Sequence, residues 1–87
     1  MASPNIQVTV RYFAAAAAAA GAESEVVTLC AGATMAELVD SLAVRGVRLS
    51  EVLGRCSYLC DGIAVRDVTT ALHAGATIDV LPPFAGG

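Results

Sequence analysis

The chain has no lysine and no tryptophan, and five arginines are its only permanent side-chain cations. Without lysine, the α-amine is the one amine of this chain that could accept an acyl group. Eight acidic residues outweigh the arginines and leave a net charge of −3. Nucleic acid requires a basic face, so it is excluded as a partner. Long apolar runs are missing too. The hydrophobic fraction of 56% is inflated by 18 alanines. No stretch of about 18 bulky apolar residues could span a bilayer, so no membrane partner is expected. Met1-Ala2-Ser3-Pro4-Asn5 lacks the positive and apolar regions of a signal peptide, and a cytoplasmic location is expected.

Cysteine is scarce and odd in number: Cys30, Cys56 and Cys60, with His73 the single histidine. In a reducing compartment free thiols are the default. Cys56 and Cys60 stand four apart instead of in the tight C-x₂-C spacing of structural zinc sites, so no metal site is expected and small buried side chains are the reading. No Ser/His/Asp set and no paired carboxylates stand out, and no cofactor of the chain's own is expected.

What is present is one small domain, residues 1–83, followed by a short tail, 84–87. Ile6 to Phe13 alternates, with Ile6, Val8, Val10 and Tyr12 on one face, which predicts a half-buried strand. Ala14 to Ala20, closed by Gly21, predicts one to two helical turns. Glu25 to Cys30 is β-branched and apolar and predicts a strand antiparallel to the first. Thr34-Met35-Ala36-Glu37 is a capping box, and Met35, Leu38, Val39 and Leu42 follow at helical spacing. Gly46 is expected to end that helix, with Arg45 as a favourable cation in its last turn. Val47 to Cys56 reads as a loop with a short turn at Leu49 to Leu53. Ser57 to Cys60 and Ile63 to Val65 flank Asp61-Gly62, a strong hairpin signal. Asp67 to His73 reads as a polar connection, and Thr77 to Leu81 as the last strand. This order is an α+β layer with one main helix across a mostly antiparallel sheet. First and last strands lying side by side and parallel would be compatible with it and would place the tail at one edge of the domain.

The last seven residues, Leu81-Pro82-Pro83-Phe84-Ala85-Gly86-Gly87, are the most specific feature. Two prolines remove backbone donors and favour an extended chain, which stops the strand and pushes the tail off the domain. Gly86 and Gly87 lack Cβ and would pass through a channel too narrow for side chains. The Gly87 carboxylate then becomes an electrophile once another enzyme activates it. Phe84 is a candidate anchor for a partner groove, with Pro83 and Ala85 beside it. Arg11 and Arg66 are candidates to meet acidic partner groups, against the plainer reading of solvated charges.

This ending resembles that of the ubiquitin-like sulfur carriers, and above all the small subunit of molybdopterin synthase. Val10-Arg11-Tyr12-Phe13-Ala14 with Gly21, and Cys60-Asp61-Gly62-Ile63, resemble that family's first strand, first helix and third hairpin. Phe84 stands where the family more often has an aliphatic residue. The resemblance implies a β-grasp fold and a C-terminal glycine, Gly87, converted through an adenylate to a thiocarboxylate. It implies three kinds of partner: a ubiquitin-activating-like adenylyltransferase that uses ATP, a sulfurtransferase, and the large subunit of molybdopterin synthase in a heterotetramer. The rival readings are a carrier for cysteine or thiazole synthesis, a ubiquitin-like protein modifier, and a plain interaction domain.

Overall fold

The computed structural model describes residues 4–83. Five strands form a mixed sheet in the order β2-β1-β5-β3-β4. β1, Asn5–Tyr12, buries Val8, Val10 and Tyr12 on one face, with Ile6 packed at the margin of the same cluster. The period of two therefore emerges as expected. β2, Ser24–Cys30, runs antiparallel to β1, with Val8 opposite Val27. β5, Thr77–Leu81, is parallel to β1 on its other side, with Val10 opposite Ile78 and Tyr12 opposite Val80. β3, Ser57–Cys60, pairs antiparallel with β5, so β5 is the middle strand. This is the β-grasp arrangement that the resemblance implies.

The two-residue β4, Ile63–Ala64, is joined to β3 by Asp61 and Gly62, both at positive φ (51° and 82°). Positive φ at both central residues matches the twist of a tight hairpin, and an Asp-Gly pair adopts it at low cost. The main helix α2, Met35–Ala43, carries the full capping box expected of Thr34 and Glu37. It buries Met35, Leu38 and Leu42 against the sheet face formed by Val8, Val10, Ile78 and Val80.

Three expectations are corrected. The segment from Val47 is not a loop: α3, Val47–Leu53, is a helix that buries Leu49 and Leu53, spaced four apart. Gly46 precedes α3 as its N-cap and does not close α2, whose cap is Val44. Arg45 does not serve the end of α2 as a cation; its guanidinium reaches the Glu25 carboxylate at 2.6 Å. The alanine run does form a helix, α1, Ala15–Ala20, ended by Gly21 at φ 75°. Ala16 is buried, and Ala17, Ala19 and Ala20 pack at the edge of the core. A methyl side chain lets this short helix approach its neighbours closely, and that packing supports a helix too short to persist alone.

Candidate functional site

The tail leaves from the C-terminal end of β5. Val80 is fully buried, its carbonyl accepts a hydrogen bond from the Phe13 N–H at 3.2 Å, and Leu81 lies opposite Ser57. The ladder stops there because Pro82 and Pro83 have no N–H to offer either neighbour. Pro82 is half-buried and Pro83 is exposed. Pro83, the last described residue, therefore stands clear of the sheet. The roles expected of Phe84, Ala85, Gly86 and Gly87 fall outside the described residues.

Just before the exit, the sheet face away from α2 carries a charged pair. Arg11 grips Asp79 with two hydrogen bonds, Nε to Oδ1 at 2.6 Å and Nη2 to Oδ2 at 2.8 Å. The two residues are neighbours in the parallel register. Asp79 is almost wholly buried while the Arg11 side chain is half exposed, so the guanidinium covers the carboxylate. A bidentate fork satisfies both carboxylate oxygens at once. The hydrogen bond and charge of Asp79 hold Arg11 still further toward its protonated form. The guanidinium also lies 5.7 Å from the centre of the Phe13 ring. Arg11 is thus paired within the fold, which differs both from a solvated charge and from the alternative of a group reserved for a partner's acids. Arg66 lies elsewhere, at the rim of a pocket beside β4.

A second network fixes the strands behind the exit. The Tyr12 hydroxyl donates to Glu25 at 2.7 Å, and Arg45 donates to both oxygens of the same carboxylate. The hydrogen bond from Arg45 is the largest of the effects that hold the Glu25 carboxyl below its ordinary pKa. On the other side, the Tyr58 hydroxyl donates to the Leu53 carbonyl, tying β3 to the end of α3. Burial pushes the Tyr58 phenol up to about 12. The strand on one side of the departing tail is therefore tied to β2, and the strand on the other side to α3, by tyrosine hydroxyls.

At the other end of β5 lies a pocket of about 370 Å³, lined by Met35, Cys60, Asp61, Val65, Leu72 and His73 among others. Among the described residues, the donors that come together are Cys60, Asp61 and His73, with one ligand atom from each within 4.8 Å of the others. Sequence reading overlooked this grouping because Asp61 had a full explanation as a turn residue. The register that places Cys60 opposite Ile78 also brings Asp61 to the start of β5.

Comparison with known proteins agrees with this architecture. SAMP1, the small archaeal modifier protein 1 of Haloferax volcanii, is 27% identical, superimposes with a TM-score of 0.81, and is matched over 93% of this chain and 99% of its own. The complex of subunits 1 and 2 of molybdopterin-converting factor from Helicobacter pylori contains a chain 26% identical, with a TM-score of 0.69 over 94% of this chain and 100% of that one. A ubiquitin-like protein of Trypanosoma brucei shares only 10% identity but has a TM-score of 0.69, covering 95% and 100% of the two chains, and so shares the fold. A search of the curated proteins found no match. The sequence model of the ThiS family matches residues 10–87, from the middle of β1 through both terminal glycines. A ubiquitin-like sheet whose middle strand runs into a Pro-Pro exit, with that match over most of its length, places this chain in the ThiS family of ubiquitin-like sulfur carriers and modifiers.

Proposed function

We propose that this chain is the sulfur-carrying small subunit of molybdopterin synthase, with the Gly87 carboxylate as its working group. The observation that carries the reading is the end of β5. The strand is paired with β1 up to Val80 and with β3 up to Leu81, and two prolines then direct the chain off the sheet with Pro83 exposed. The family match through residue 87 and the likeness to a subunit of molybdopterin-converting factor support it.

In this reading an adenylyltransferase joins the Gly87 carboxylate to the α-phosphate of ATP and releases pyrophosphate. Hydrosulfide delivered by a sulfurtransferase attacks the carbonyl carbon, displaces AMP and loses its proton to solvent. The product is a thiocarboxylate, whose soft sulfur is handed over inside the large subunit to build molybdopterin. Glycine suits every step, because no side chain flanks the carbonyl against the incoming sulfur. Phe84 seats in the large subunit's groove, and Gly86 passes its narrowest point. The chain contributes a reacting group and a handle, while the partners contribute the catalysts, so no cofactor is bound here. All of these steps belong to the cytoplasm.

The test is intact-mass measurement after incubation with the adenylating partner, ATP and a sulfur source. Replacement of one oxygen by sulfur is expected, and release of that sulfur on adding the large subunit and its pterin substrate. An unchanged mass refutes the carrier reading. The similarity to SAMP1 favours a second reading, a protein modifier joined to lysines of other proteins. Conjugates of high mass that survive thiol reductants would select it. With no lysine of its own, the chain would end such conjugates and not extend them through its side chains.

A further inference from the structure

We propose that Cys60, Asp61 and His73 form a binding site for one divalent transition-metal cation of the zinc class, fastening the β3–β4 turn to the segment that leads into β5. The site lies at the opposite end of β5 from the tail, about 13 Å along the strand at the usual rise per residue.

The first argument is the donor set. A sulfur, a carboxylate oxygen and an imidazole nitrogen converge within 4.8 Å of one another. Zinc takes these three ligand types at about 2.0 to 2.3 Å, so ligand atoms around a tetrahedral ion stand roughly 3.3 to 3.8 Å apart. Rotation of the exposed His73 ring would open its 2.6 Å contact with Asp61, and rotation of the Cys60 side chain would shorten the wider separations. Sulfur and nitrogen together favour zinc or cobalt over magnesium or calcium.

The second argument is the histidine ring. His73 Nδ1 lies 3.0 Å from the Ala74 carbonyl oxygen, and Nε2 lies 2.6 Å from Asp61 Oδ2. Both ring nitrogens thus face acceptors, and a neutral ring has one N–H. When Nδ1–H donates to Ala74, the Nε2 lone pair points at the carboxylate. At 2.6 Å only a proton fits between them, and a metal ion would take that proton's place as the two atoms part to roughly 3.3 Å. A backbone carbonyl that holds one ring nitrogen and aims the other is the usual outer support of a metal-binding histidine.

The third argument is rigidity and room. Asp61 is held at its other oxygen by the Thr77 N–H at 2.9 Å, and its own N–H donates to the Thr77 carbonyl at 2.8 Å. The carboxylate is therefore set before any ion arrives. The adjoining pocket gives space for a solvent ligand in the remaining position. Cys60 decides between the two positive occupants. A proton shared by His73 and Asp61 has no use for the thiol, whereas a metal ion does. Binding releases the thiol proton and any proton on Nε2 to solvent, and no electron changes hands. The thiolate and carboxylate then balance the charge of the ion.

The experiment titrates the full, untagged chain with zinc ion by calorimetry and with cobalt(II) by absorption. One equivalent should bind. Cobalt should give a sulfur-to-metal charge-transfer band in the near ultraviolet, and zinc should raise Tm. Cys60→Ala should remove the band, and His73→Gln should weaken affinity at least tenfold, roughly the range seen on disturbing a metal's surroundings. Cys30→Ala should leave both unchanged, since Cys30 is exposed and stands outside the cluster. The His73 side chain is 63% exposed, so His73→Gln tests the site even if Cys60→Ala fails to fold. No binding at millimolar metal, a band that survives Cys60→Ala, or a band lost in Cys30→Ala would each overturn the proposal in favour of a simple ion pair.

Discussion

The two ends of β5 are built by opposite rules. At its start, Thr77 is locked by two hydrogen bonds to Asp61, whose carboxylate is also held by His73. At its end, beyond Leu81, two prolines leave the chain with no N–H to bond. The same strand is tethered where it enters and released where it leaves. Position in a central strand therefore does not decide whether a segment is held; the local supply of donors does. On the proposed function, this asymmetry would let the domain keep its shape while its last residues serve a partner.

The sharpest test of the contrast is removal of Gly87. Sulfur transfer in a reconstituted molybdopterin assay should be abolished, while circular dichroism and Tm stay at their original values. A truncated chain with full activity would break the comparison, since the released end would then have no function. Next in size is Leu42→Ala, which empties a fully buried position of α2 beneath the sheet. A loss of about 2 to 5 kcal/mol in urea unfolding is expected. Transfer per folded molecule should be unchanged, which separates the platform from the tail it carries.

Gly62→Ala tests the tethered end. Gly62 sits at φ 82°, where any Cβ is strained although nothing crowds it. About 1 kcal/mol of stability should be lost, read as a lower urea midpoint, with transfer intact. The smallest effect is in acid. The Glu25 pKa lies below its ordinary value of 4.5 because Arg45 and Tyr12 donate to it. The folded state thus prefers the ionised form. Its contribution is present above about pH 4.5 and fades as the pH falls through the lowered value. Replacing Glu25 with Gln should flatten the acid limb of a stability–pH curve. In alkali the sign reverses. The Tyr58 phenol, ordinarily at 10.0, is raised to about 12, so its contribution is complete below pH 10 and is lost between about 10 and 12.

Local signals carried much of the fold into the sequence. The Thr34–Glu37 box, the Asp61-Gly62 turn and the alternation from Ile6 to Tyr12 each specify backbone geometry within a few residues, and all three emerged as expected. α3 was overlooked because Gly46 offers no side-chain cap and its apolar repeat, Leu49, Val52 and Leu53, is short. Arg45 was misassigned because its partner, Glu25, lies 20 residues away on β2. Of the candidate site, Pro82 and Pro83 were legible because proline acts on the backbone at its own position. The commitment of Arg11 to Asp79 spans 68 residues and arises only from the parallel pairing of the first and last strands. The meeting of Cys60 with His73 likewise depends on pairing across the sheet, which spacing along the chain cannot reveal.

The parallel pairing of β1 and β5 has a mechanical side. A partner that grips the last residues and pulls along β5 loads the strand lengthwise, and β1 and β3 flank it on both sides. The hydrogen bonds of both ladders then resist together, in shear, instead of opening one after another like a zipper. The domain can be tugged by its end and not come undone.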